Sequence, residues 1–216
     1  MAVITIFIEG GVLAHDNQTI QTLDNSESLR ESFYKLLTQK FSPKDFTLEI
    51  EIGGPNNQAI IFLQEAVAKN QDSFAIVDLD APTNQRKKKI SEFGINDENI
   101  SKRIIFMVQE MEAWILSQPD KIESCFQYLK RRKSNIKLSD DAILKNRHPE
   151  SINKPSDKLH TLLGRYFQIE KKGKLKKKKY KKLKDGADLL ELLDYHQLEQ
   201  VFSDVNHLSE SLKNKL

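Results

Sequence analysis

Between residues 3 and 118, four short apolar runs alternate with stretches of helix length, and no other feature of the chain restricts its fold as much. VITIFIE (3–9) reads as a buried strand and FTLEIEI (46–52) as a strand with one more exposed face. FAIVDLD (74–80) and RIIFMV (103–108) supply the third and fourth. The spacing predicts a helix over 26–41, with Ser26 as its N-cap and Leu29, Phe33, Leu36 and Leu37 on one face. A second helix follows Gly53, Gly54 and Pro55, capped by Asn56 or Asn57 and burying Ile60, Leu63 and Val67. A short charged helix is expected over 84–93. Strands joined by helix-sized crossovers lie parallel, so the expected class is α/β: a mostly parallel four-stranded sheet flanked by helices.

From Pro119 onward the pattern changes to helices, over 120–133, 138–145, 157–168, 186–193 and 196–214. Pro149 and Pro155 mark a linker within this half, and Asp157 is a candidate cap. The expected organisation is a catalytic α/β domain over 1–118 and a mainly helical C-terminal region over 119–216. No apolar run reaches the roughly 20 residues of a membrane span, and no signal peptide is evident at the N-terminus. Cys125 is the only cysteine, so an internal disulfide is impossible and a reducing, cytoplasmic setting is expected.

The carboxylates carry the chemical information. In open α/β sheets, ligands bind beyond the carboxyl ends of the strands. Glu9, before Gly10–Gly11, falls at the first strand's end, Asp78 and Asp80 at the third's, and Glu110 and Glu112 just past the fourth's. Residues i and i+2 of a strand share a face, so Asp78 and Asp80 are expected to enter one crevice with Leu79 turned into the packing. Crowded carboxylates repel one another, and a divalent cation relieves that repulsion. All-oxygen ligation points to Mg²⁺ or Mn²⁺, with Asp78 and Asp80 as principal ligands. Glu9 is either a third ligand or a general acid/base. Each acid alone is more simply a turn residue; their combination is what points to chemistry.

Other chemistries lack their residues. Gly10–Gly11 is followed by neither GxGxxG nor GxxxxGK[ST], so the pair reads as a tight turn. The five histidines are scattered, and Cys125 and Trp114 sit in apolar helical patterns as core residues. A phosphate-accepting acidic pocket of the response-regulator type needs a lysine beyond the last strand, and none is well placed.

Net charge is +3, yet KKGKLKKKKYKKLK (171–184) holds ten lysines and no acid, which leaves about −7 for the rest. Its Leu175, Tyr180 and Leu183 suggest a helix with a partial apolar anchor. Lys171, Lys172, Lys174, Lys176, Lys177, Lys178, Lys179, Lys181 and Lys182 are candidates to hold a DNA or RNA backbone, joined by Lys87 and Lys88. A solvated face or an acidic protein partner is the plainer reading.

The order IFIEGG, FAIVDLD, then a last strand and an acidic helix resembles the Toprim fold of topoisomerases, bacterial primases, small ribonucleases and the nuclease part of overcoming-lysogenization-defect proteins. The resemblance implies that Glu9 is the general acid/base and that Asp78 and Asp80 bind divalent metal. FMVQEMEAWILSQPD (106–120), the KP turn at 154–155 and YKKLKDGADLLELLD (180–194) are similar to a prokaryotic Toprim-like branch often adjacent to an ATPase gene. That likeness implies an ATPase partner, an antiphage setting, and Glu112 as the more important fourth-strand glutamate. Topoisomerase and primase activities would need parts that this chain lacks. A metal-dependent nuclease is the leading expectation; a non-catalytic nucleic-acid-binding or ATPase-binding subunit with a degenerate Toprim core is the alternative. Substrate sequence, trigger and self-association stay open.

Overall fold

A computed structural model describes residues 2–10, 26–42, 44–54, 57–133 and 135–215. Residues 11–25, which include Gly11 and His15, and the turn and cap residues Pro55 and Asn56 lie outside the described residues.

The first half alternates as the apolar runs require: β1 (Val3–Glu9), α1 (Ser26–Thr38), β2 (Thr47–Gly54), α2 (Gln58–Ala68) and β3 (Asp72–Asp78). After a 3-10 turn at Thr83–Gln85 come α3 (Arg86–Glu92), α4 (Glu98–Ser101), β4 (Ile104–Met107) and α5 (Glu112–Leu116). The four strands form one parallel sheet in the order β2-β1-β3-β4. Asn57 occupies the N-cap position of α2 without a side-chain capping bond.

Period-two alternation sorts each strand onto two apolar clusters. Ile4, Ile6, Ile8, Phe74, Ile76, Ile105 and Met107 face α1 and the C-terminal helices. Phe7, Ala75, Val77, Ile104 and Phe106 face α2 and the Ile90–Ile100 segment. The same parity sends Asp78 towards the first cluster, under α5, and buries Leu79 in the second. Edge strand β4 is covered rather than open. Buried Asp204 accepts a hydrogen bond from the Phe106 amide (3.0 Å) and pairs with both terminal nitrogens of Arg86, which removes a free edge donor.

Beyond β4 the chain runs through α6 (Pro119–Cys125), β5 (Lys130–Arg131), α7 (Pro155–Tyr166), β6 (Phe167–Lys171), β7 (Lys174–Lys177), α8 (Lys182–Glu191), α9 (Tyr195–Val201) and α10 (Ser203–Lys213). The region is mainly helical, and its buried residues continue the sheet's own cluster. Five expectations are corrected. The helix expected over 120–133 stops at Cys125, and the one expected over 138–145 is only a 3-10 turn, Leu138–Asp140, followed by further turns. The lysine-rich segment is a hairpin followed by the start of α8, and not one helix: β5, β6 and β7 form a small antiparallel sheet. The hairpin turns at Lys172 (φ 54°) and Gly173 (φ 69°), both left-handed, as a two-residue type I′ turn demands. The helix expected over 196–214 is broken at Phe202, whose extended backbone separates α9 from α10. Lys154, and not Asp157, holds the N-cap position of α7; Asp157 lies in the first turn. No helix among the described residues is long and apolar enough to cross a membrane.

Candidate functional site

Asp78 ends β3 on the face where α5 and α8 pack, and its side chain is 17% exposed. Its Oδ1 accepts a hydrogen bond from the Met111 amide (2.9 Å), and its Oδ2 lies 3.7 Å from Lys182 Nζ. Glu9 ends the adjacent β1, half-buried, where its Oε2 accepts from the Asp78 amide (3.2 Å). Gly10 then leaves the strand at φ 138° and donates to the Gly54 carbonyl, a backbone conformation open to glycine. The first two acids therefore meet because β1 and β3 are neighbours.

Asp80 arrives differently from the i, i+2 expectation. β3 stops at Asp78, and Asp80 adopts φ 54°, so the pair does not share an extended strand. Two backbone bonds hold this turn: Asp80 N–H to the Gln109 carbonyl (2.8 Å) and Gln109 N–H to the Ala81 carbonyl (3.1 Å). The Asp80 carboxylate is 61% exposed and lies 3.6 Å from Lys89 Nζ. Leu79 is buried between them, as expected.

Glu112 opens α5 and is completely buried. Its Oε1 accepts from the Tyr180 hydroxyl (2.9 Å). Its Oε2 has no hydrogen-bond partner and lies 3.7 Å from Lys182 Nζ. Glu110 points elsewhere, and its Oε2 accepts from the Ser156 amide (2.8 Å) in the first turn of α7.

Burial is the main force lifting the Asp78 carboxyl to about 7 from the ordinary 3.8; Lys182 opposes it, and Glu112, Asp80 and Glu9 add to it. Glu9 is also raised, by burial first and then by Asp80, against Lys89, the Asp78 amide and Lys182. Burial alone would depress the Lys182 ammonium, but the carboxylates of Glu112, Asp78, Glu110 and Asp80 outweigh it and hold the group above its ordinary value. Burial and then the charge and hydrogen bond of Glu112 keep the Tyr180 hydroxyl protonated. Four acids from three strand ends are thus in electrostatic contact, with one lysine bridging two of them.

The donor set suits a hard divalent cation, and the unpartnered Glu112 oxygen is the kind of atom such an ion satisfies. The spacing does not yet suit one: among the described residues, no group of three or more His, Cys, Asp or Glu is placed to hold a metal ion. A cavity of about 740 Å³ beside Arg30, Tyr34 and Glu49 lies away from these acids, which stand at the strand ends, where open α/β sheets bind ligands.

The basic residues divide. Lys171, Lys172, Lys174, Lys176, Lys177, Lys179 and Lys181 are exposed on the hairpin and its exit, and Lys87 and Lys88 are exposed on α3. Lys178 is buried, paired with Asp185 at 2.7 Å and set over the Phe126 ring, so its charge is satisfied internally. Lys182 faces the acids. Sequence reasoning missed Tyr180 and the acid-facing role of Lys182; Lys89 lies near the crevice, as its place soon after Asp80 suggests. The signal available for Tyr180 was its place as the one aromatic residue in the lysine run. Gly186 of α8 lets it reach Glu112, since a Cβ there would lie 3.1 Å from the Tyr180 hydroxyl. Burial pushes the Cys125 thiol up to about 11, helped by Asp188 and Asp185, so it is no ready nucleophile.

A family model described as "Domain of unknown function (DUF4276)" matches residues 14–213. Neither a curated protein nor a solved structure matches the chain.

Proposed function

The chain belongs to the DUF4276 family, and we propose that it is a divalent-metal-dependent nuclease that hydrolyses phosphodiester bonds of DNA or RNA. The observation that carries this reading is the gathering of Glu9, Asp78, Asp80 and Glu112 at the carboxyl ends of parallel strands, where burial first, and then the other three acids against Lys182, raise Asp78 to about 7. Burial and mutual repulsion of these carboxylates work against folding and are only partly offset by their hydrogen bonds and Lys182, which favours a chemical use.

Asp78, Asp80 and Glu9 would hold Mg²⁺ or Mn²⁺, with Glu112 beside them. When bound, such an ion supplies Lewis-acid activation of the phosphate and of water. The chain's own part is separate. Glu9, half-buried and with a raised affinity for protons, suits proton transfer at the reacting oxygen. Lys89 and Lys182 oppose the accumulated negative charge and favour approach of a phosphate. Tyr180 donates to Glu112 Oε1 and fixes that carboxylate's orientation.

The test is cleavage of labelled single- and double-stranded DNA and RNA with Mn²⁺ or Mg²⁺, with and without an ATPase partner of the kind the Toprim resemblance implies. Asp80→Ala should abolish cleavage and leave the fold unchanged, because Asp80 is largely exposed and makes no buried contact through its carboxylate. Cleavage that survives Asp80→Ala would overturn the assignment.

A second reading is a non-catalytic nucleic-acid-binding or ATPase-binding subunit with a degenerate core. The present spacing of the acids favours it, since the described residues include no metal-ready group and Lys182 already neutralises two of the acids. It predicts undiminished function when Glu9, Asp78 and Asp80 are neutralised together.

A further inference from the structure

Tyr128 is the most exposed large side chain with apolar surface in the protein's described residues, at 75%, and it makes no hydrogen bond or ring contact with any of them. It follows α6, where the chain turns into β5. Together with Ile169 of β6, it lines a cavity of about 540 Å³ that also takes in Lys176, Lys177, Lys179 and Lys184. Asp185 and Asp188 line the same cavity; Lys178 neutralises Asp185, and the lysines outnumber Asp188. The groove is therefore one free aromatic face in a lining that is strongly net positive, with most of its lysines unpaired.

The type of groove matters. A cluster of lysines alone attracts any polyanion. A duplex keeps its base faces stacked inside, so an aromatic ring gains nothing from it; a single strand offers unstacked bases to rings and phosphates to lysines. The acids lie beside the same first turn of α8 that borders the groove. Lys181 and Lys184 line the groove, and Lys182, between them in sequence, is the residue that faces Asp78 and Glu112. A helix is about 10 Å across, so a strand held in the groove needs to cross only the start of α8 to arrive there.

We propose that the groove between Tyr128 and the β6–β7 hairpin binds single-stranded nucleic acid, stacking a base on Tyr128 and holding the adjacent phosphates with the hairpin lysines. This rests on the nucleic-acid part of the function proposed above, and names the form of the substrate.

The probe is a fluorescent oligothymidylate of about fifteen nucleotides, compared with a duplex of the same length and with polyglutamate. Anisotropy titrations use the full chain in excess EDTA, so that cleavage cannot contribute. The single strand should bind at least several-fold more tightly than the duplex. Tyr128→Ala should weaken single-strand binding roughly ten-fold, Tyr128→Phe should retain it, and Lys176→Gln/Lys177→Gln should weaken all three ligands together. Because Tyr128 is exposed, its loss should leave the melting temperature unchanged. Equal affinity for duplex and single strand, an unchanged affinity in Tyr128→Ala, or stronger binding of polyglutamate than of the oligonucleotide would each overturn the proposal. Binding as expected, with no cleavage in Mn²⁺ or Mg²⁺ either alone or with the ATPase partner, would sink the nuclease and keep the groove. Cleavage unaffected by Tyr128→Ala, with binding also unaffected, would do the reverse.

Discussion

Asp78 is where sequence position, burial and charge act on one atom pair. Parity along β3 sends it beneath α5, and burial, Glu112, Asp80 and Glu9 then raise it to about 7 despite Lys182. A raised carboxyl means that the folded protein keeps a proton which the unfolded chain has lost between about pH 4 and pH 7. Stability in metal-free buffer should therefore fall as pH rises through that window and level off above it. Asp78→Asn preserves the acceptor for the Met111 amide and removes the charge. Its melting temperature should exceed wild type by several degrees at pH 8, with the difference shrinking towards pH 5. A variant less stable than wild type at pH 8 would mean that the Lys182 contact outweighs burial.

At the scale of elements, the alternation of the first half was legible because buried parallel strands and amphipathic helices write different periods into the chain. The sheet, its flanking helices and the strand-end position of the acids all follow from that. The lysine hairpin was not legible. Lysine has good helix propensity, and every residue of β7 is exposed, so no apolar alternation marks the strand; pairing with β6 and the Lys172–Gly173 turn decide it instead. Asp80 was placed at the right end of the right strand but on the wrong backbone, because its turn depends on Gln109, 29 positions further along. Tyr180 and Lys182 meet Glu112 through α8, a long-range packing that no local pattern encodes. The cover on edge strand β4 gives a stability prediction of its own. Asp204→Ala leaves the Phe106 amide without its acceptor and Arg86 without its partner, at a cost of about 3 kcal/mol. Thermal unfolding should then shift down by roughly 6–12 °C. A shift within a degree would show that water replaces the carboxylate.

For the whole molecule, charge and packing pull in complementary directions. One continuous apolar cluster ties the sheet to α7 through α10, which brings a strongly basic segment against an otherwise acidic chain. The contact is local and specific: Lys178 meets Asp185, Lys182 meets Asp78 and Glu112, and the remaining hairpin lysines stay free for an anionic partner. Lys182 thereby stands against the acids that the proposed function assigns to a cation. Loading a divalent ion means that those carboxylates must close up and Lys182 must withdraw. The crystal structure of the protein soaked in Mn²⁺ measures this directly. The account predicts an anomalous manganese peak ligated by Asp78 and Asp80, with Glu9 within reach and Lys182 Nζ moved away from Asp78. Saturating Mn²⁺ with no such peak, and with Lys182 still bridging Asp78 and Glu112, would contradict it.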